Sequence, residues 1–350
     1  MSRLPFLAMA VVSLLAGMLA GLWRAGWQTP FPHSALFNWH GPLMISGFLG
    51  TLISLERAVA YGRPWGYAVA AISGLSGLFI LFDETAPFAP LLAVAAAGGY
   101  NLFALLFFMK VPSLHMAVMG LGAVSWLAGN VLWLANVPTP QITLWWANFL
   151  VFTIAGERLE LSRLLQPGKF ARTVFILGVV IGAAGAPLAL TGTGASGKLV
   201  GIAYMILAGW LLANDMARKL LKQKDLQLFI GVALIAGFIW LGIGGLLFLL
   251  TGEATAGFRY DAMLHALFLG FVFSMIFAHG PIIFPALLKR SVEFHWIFYL
   301  HFAILQGSLV LRLVGDAMLS HPVRIYGSLL NVLAILLFFV NTAMSIHRTK

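Results

Sequence analysis

The sequence predicts an all-α polytopic membrane protein: about twelve transmembrane helices in a single integral membrane domain over residues 1–350. Three observations predict it. Hydrophobic residues make up 61% of the chain and charged residues only 9%, with a mean hydropathy of +0.96, whereas a soluble domain carries about 25% charge. Apolar runs of the length that crosses a bilayer, about 20 residues, recur from end to end. The breaks between them are short turn signals, among them Arg63-Pro64, Val111-Pro112, Pro138-Thr139-Pro140 and Gln166-Pro167-Gly168, so no linker separates domains.

The expected helices run over 4–23, 36–60, 65–82, 88–109, 113–135, 140–164, 172–191, 197–220, 227–251, 259–288, 294–314 and 322–346. The first follows only Arg3 and is long for the apolar core of a signal peptide, so it reads as a retained helix. Thr29-Pro30-Phe31-Pro32 and Thr191-Gly192-Thr193-Gly194 mark two further breaks. Sixteen of the 21 basic residues fall on one side if the N-terminus is inside, and five on the other. The basic excess is therefore a topology signal, N-in and C-in, and calls for no nucleic-acid partner. A short internal likeness links Ser54-Leu55-Glu56-Arg57, ending helix two, with Ala155-Gly156-Glu157-Arg158, ending helix six. Helix ten ends in the basic pair Lys289-Arg290, so three units of four helices would fit.

The chain has no cysteine, which removes disulfides, iron–sulfur ligation and thiolate chemistry. A metal or haem would have to use His, Met, carboxylate or backbone ligands. Nine histidines are present, and an imidazole inside a membrane is costly unless something engages it. His33, His40, His265 and His321 lie toward the outer side. His115, His279, His295, His301 and His347 lie toward the inner side. His40 and His265 enter helices two and ten at depths matching within about one turn. Two imidazoles at one depth on separate helices suit the two axial ligands of one haem. Below His40, Met44, Gly47, Thr51 and Ser54 form a mostly small stripe. That stripe admits either a flat cofactor or another helix.

Fourteen residues beyond His265, about 21 Å deeper, His279 is a candidate with His301 for a second metal site, together with Glu157 or Glu160. The competing reading places those glutamates in solvated ion pairs with neighbouring arginines. Arg312 and Arg324, at the outer ends of helices eleven and twelve, suit the carboxylates of haem propionates. Alternatively Arg312 pairs with Asp316, four residues on.

These residues carry a resemblance. Trp39-His40-x-x-x-Met44-x-x-Gly47-Phe48 and His265-Ala266-Leu267-x-x-Gly270 resemble the NnrS family of bacterial membrane proteins. More distantly, His40-Gly41-x-x-Met44-Ile45 is similar to helix two of the haem–copper oxidase large subunit. The resemblance implies a pseudo-threefold, oxidase-like bundle of twelve helices in a bacterial-type inner (plasma) membrane. It implies a b-type haem on His40 and His265, with Arg312 and Arg324 near the propionates, and copper as a further candidate cofactor. It also implies a role in nitric-oxide or respiratory stress, by electron transfer or gas sensing, with a redox partner or a small gas ligand.

The departures limit what carries over. Pro42 and Leu43 stand where NnrS-type sequences carry a further histidine and an acidic residue. Helices six and seven have no histidine for an oxidase copper, so no complete oxygen-reducing centre is expected and no catalysed reaction follows. A proton-coupled transporter is the alternative, with the break Gly182-Ala183-Ala184-Gly185-Ala186-Pro187 and the His40, His279 and His301 imidazoles on its pathway. A cofactor-free membrane assembly or partner protein is the third reading.

Overall fold

A computed structural model of the chain describes residues 3–27, 35–82, 88–252, 254–288 and 291–347. Among the described residues, twelve long helical segments follow one another: α1 (Leu4–Ala25), α2 (Leu36–Tyr61), α3 (Gly66–Phe82), α4 (Phe88–Lys110), α5 (Leu114–Leu134), α6 (Thr139–Ser162), α7 (Lys169–Thr191), α8 (Ala195–Asn214), α9 (Asp225–Thr251), α10 (Gly257–Phe284), α11 (Phe298–Ala317) and α12 (His321–Met344). Among the described residues, ten of these are long and apolar enough to cross a membrane. The chain is a multi-pass membrane protein. The two exceptions have physical reasons. Helix α3 has 17 residues, and α6 is diluted by Gln141, Asn148, Glu157, Arg158 and Glu160. The Pro30 and Pro32 break, His33 and the Lys289-Arg290 pair lie outside the described residues.

The chain divides into two compact units, Met1–Thr153 and Ile154–Lys350. The division falls inside α6, where no turn or linker signal marks it.

The first unit is packed on small residues. A Cβ on Gly77 would come 2.9 Å from the Gly47 Cα, and one on Gly47 would come 2.8 Å from Ser13 Oγ. Helices α1, α2 and α3 therefore meet at nearly bare backbone, the usual way helices gain contact where lipid offers no hydrophobic drive. Beneath them Trp126 stacks on Phe149 with centroids 4.8 Å apart, and Tyr100 meets both edge-on. The expectation of a small stripe on α2 is met at Gly47, but α1 and α3 take it up, leaving no face there for a flat cofactor.

The second unit uses the same device between α8 and α9. A Cβ on Gly201 would fall 2.6 Å from the Gly245 carbonyl oxygen, and one on Gly245 would fall 2.8 Å from that of Gly201. It adds charge. Arg158 donates from Nε and Nη2 to the Asp215 carboxylate at 2.7 and 2.6 Å, and the Ala217 N–H donates to the same carboxylate at 2.7 Å. Asp215 is wholly buried and Arg158 nearly so. The carboxylate thus ties α6 to the turn that ends α8. A two-residue antiparallel pairing of 291–292 with 346–347 joins the segment after α10 to the end of α12.

Among the described residues, two helices contain long π-helical stretches. Helix α2 is π-helical over Leu43–Gly50 and α10 over Ala266–Phe273, eight residues in each case. A π stretch bonds i to i+5, rotates the following side chains relative to an α-helix, and recurs at functional sites. It also disturbs backbone pairing, which has to be made good inside a membrane. In α2, Ser73 Oγ donates to the Ser46 carbonyl at 2.7 Å, and Thr51 Oγ1 donates to that of Gly47 at 2.7 Å.

Candidate functional site

Both π stretches begin just after a histidine. His40 precedes the first by three residues, and His265 immediately precedes the second. The sequence singled out both imidazoles, and the structure shows how each is held.

In the first unit, His40 Nδ1 lies 2.6 Å from the carbonyl oxygen of Gly17 on α1. A carbonyl only accepts, so Nδ1 carries the hydrogen and, in the neutral ring, Nε2 carries the lone pair. The ring reaches that carbonyl because α1 is small at this level. A Cβ on Gly21 would stand 2.9 Å from His40 Cε1, and one on Gly17 would stand 2.7 Å from Met44 Sδ. On the other side of the helix entry, Gly41 lies against Trp146, and Trp39, Trp133 and Trp146 form a chain of rings with centroids about 6 Å apart.

A buried polar network anchors the π stretch below His40. Ser46 Oγ donates to Asn130 Oδ1 at 3.1 Å, and Trp146 Nε1 donates to the same oxygen at 3.1 Å. Trp126 Nε1 donates to Ser46 Oγ at 3.3 Å, and Asn130 Nδ2 donates to the Ala93 carbonyl at 3.2 Å. Asn130 and Ser46 are fully buried, so every one of these bonds replaces one that water cannot supply.

In the second unit, His265 Nδ1 lies 2.9 Å from the Asp261 carbonyl oxygen and 3.3 Å from Asp261 Oδ1. The same tautomer argument leaves the lone pair on Nε2. Asp261 is itself held by Arg312, whose Nε and Nη2 donate to its two carboxylate oxygens at 2.7 and 2.8 Å. His265, Asp261 and Arg312 therefore form a chain from imidazole to carboxylate to guanidinium, contributed by α10 and α11. A ligating histidine commonly donates its second N–H to a carboxylate or carbonyl, which fixes the ring and raises its basicity.

The arginine expectations change in detail. The two-pronged edge of Arg312 is taken by Asp261, so this residue acts on His265 through a carboxylate of the chain. Its partner is not Asp316, which is buried alongside Asp261. Three-dimensional proximity beats the four-residue spacing because Asp261 presents both oxygens to the fork. Arg324 donates from Nη2 to His321 Nδ1 at 3.0 Å and lies over the Phe258 ring, 4.8 Å from its centroid.

The expected His279, His301 and carboxylate site is not assembled. Among the described residues no group of three or more His, Asp or Glu side chains is placed to hold a metal ion. His279 Nδ1 donates to the Met275 carbonyl at 2.7 Å. His301 is buried among Phe277, Phe298 and Phe338, whose centroids lie 4.9–5.6 Å away. Glu160 is exposed. His115 is buried beside Ser113 at 3.3 Å, and His295 is exposed.

Three features escaped the sequence reading. Asp261 is four residues before His265, a spacing that puts both on one helix face and could have been noticed. The Arg158–Asp215 pair, 57 residues apart, and the Ser46–Asn130 pair, 84 residues apart, leave no local signal.

A family model described as Domain of unknown function (DUF8744) matches residues 3–347. The chain belongs to the DUF8744 family. A comparison of this DUF8744 chain with curated proteins finds no match. The family description names no activity, so the chemistry of the DUF8744 chain is argued from its side chains.

Proposed function

We propose that this DUF8744 chain is a membrane haem protein, NnrS-like, with His40 and His265 as ligands to the iron of a b-type haem. Its role on this reading is electron transfer or gas sensing in nitric-oxide or respiratory stress. The reading extends to twelve spans in an oxidase-like arrangement, N-in and C-in, in a bacterial-type inner membrane. One observation carries it: each of the two histidines has Nδ1 bonded to an acceptor, which in the neutral ring puts the lone pair on Nε2, and each lies within three residues of a π-helical stretch.

The residues fit such a group in part. A haem supplies one-electron and diatomic-gas chemistry when bound. His40 and His265 would hold it, each ring fixed by its Nδ1 bond. Asp261 strengthens the donor character of His265, and Arg312 holds Asp261 in place through two hydrogen bonds. A propionate would not displace Asp261 from Arg312 without stranding a carboxylate, so Arg324 is the better placed of the two for that contact. Copper gains no support from the side chains, since no three-ligand group stands among the described residues.

The test is the absorption spectrum of protein purified after haem-replete expression. A Soret band, with sharp α and β bands on reduction, is expected. His40→Ala and His265→Ala should each shift or abolish it while the helical content stays that of the parent. A colourless parent preparation would overturn the reading, and so would two variants with unaltered spectra.

A further inference from the structure

We propose that one surface of the second unit binds anionic phospholipid headgroups, at the end where α7 begins and α8 ends. Two segments meet there. Trp210 Nε1, near the end of α8, donates to the Ala171 carbonyl in the first turn of α7 at 2.7 Å, and its ring meets Phe175 with centroids 4.7 Å apart. The segment after α8 is held in turn by α9, because Leu220 packs against Gly231, where an added Cβ would lie 2.9 Å from the leucine Cβ. The connections 160–172 and 216–225 are thereby fixed side by side.

They carry seven cations, all exposed: Arg163, Lys169, Arg172, Arg218, Lys219, Lys222 and Lys224. Only two exposed carboxylates, Glu160 and Asp225, stand with them. The neighbouring buried charges cancel, since Arg158 and Asp215 neutralise each other. Three large apolar side chains project among the cations: Phe170 is 83% exposed, Leu164 72% and Leu221 41%. Unpaired apolar side chains flanked by lysine and arginine, at the ends of membrane-crossing helices, match the boundary between acyl chains and headgroups. Four to eight basic residues beside a transmembrane helix attract anionic lipid, each adding to the attraction near the surface. Topology alone asks for basic residues on this side. It does not ask for two segments to be locked together with apolar anchors between the charges.

The occupant is a phospholipid with a net negative headgroup, and phosphatidylglycerol is the probe. The purified full chain is reconstituted into mixed phosphatidylcholine–phosphatidylglycerol vesicles containing a trace of either lipid spin-labelled, and the protein-associated fraction of each is measured. The labelled phosphatidylglycerol should be preferred over phosphatidylcholine, and added salt should weaken the preference. The triple variant Lys219→Gln, Lys222→Gln, Lys224→Gln should lose that preference by about tenfold or more. The control pair Lys198→Gln, Arg259→Gln, exposed cations at the opposite helix ends, should keep it. All five positions are exposed, so thermal unfolding should match the parent. Equal association of the two lipids with the parent would overturn the proposal. So would a triple variant that retains the preference, or a control that loses it equally.

Discussion

His40 and His265 sit at comparable places in their own units and are held by different means. Each lies just before the point where its helix turns π-helical for eight residues. Each π stretch also runs under an indole: a Cβ on Gly50 would collide with Trp126, and one on Gly270 with Trp240. Each indole feeds a polar side chain, Ser46 in the first unit and Gln306 in the second, at 3.3 and 2.6 Å. Gln306 passes the bond on to Ser274, at the end of the second π stretch, at 3.1 Å. The histidines then diverge. His40 is held by a backbone carbonyl of another helix, reached because Gly17 and Gly21 leave room. His265 donates to the Asp261 carbonyl of its own helix, with the Asp261 carboxylate beside the ring and paired to Arg312. One unit positions its imidazole by shape, and the other by charge. The shape solution is sensitive to a single methyl group, and the charge solution to loss of either ion.

Five substitutions would break or sharpen that contrast. The largest effect is expected for Arg312→Ala. It strands the mostly buried Asp261 carboxylate, and breaking such a pair costs about 3–5 kcal/mol, at the lower end here because Asp261 is 18% exposed. Thermal unfolding in detergent should show it, with no counterpart in the first unit. Gly21→Leu comes next. Its side chain enters the space of the His40 ring, so an overpacking cost of about 1–3 kcal/mol is expected, together with loss of the Nδ1 bond, read from the imidazole 15N shifts. An unmoved His40 resonance would show that α1 yields instead.

Gly50→Ala and Gly270→Ala test the shared part of the design. If the indole floors are equivalent, both should destabilise by about 1–2 kcal/mol and by similar amounts. A large inequality would separate the two π stretches in kind. The smallest effect belongs to Ser73→Ala, which removes the donor to the Ser46 carbonyl. A loss of about 1 kcal/mol is expected, and amide exchange should quicken within 46–51 before it quickens elsewhere in α2.

Much of the architecture was legible because a membrane imposes it on the sequence. Helix ends follow Pro and Gly signals such as Gly62, which ends α2 with φ +74°, and the twelve helical segments fall close to the twelve apolar runs. The ten that qualify as spans differ from twelve because α3 is short and α6 carries polar residues that the fold uses internally. His40 and His265 were legible as unusual residues by cost alone. Their settings were not. A π stretch has no distinct composition. It shifts the faces of α2 and α10 relative to an uninterrupted 3.6-residue period. Arg158 looked like a topology charge and is instead buried on Asp215. Asp261 lay within one helical turn of His265, yet its meaning depended on Arg312, 51 residues later.

The sequence by itself determined that the chain is helical, multi-pass and free of thiol chemistry, because hydropathy, length and composition are local properties that a bilayer selects. Only the tertiary structure decided which acceptor each imidazole faces: a carbonyl of another helix for one, and a carbonyl of its own helix beside an Asp–Arg pair for the other. Those choices depend on side chains brought together across tens of residues, by close approach at Gly17, Gly21 and Gly47 and by the reach of Arg312. No local pattern records such distances.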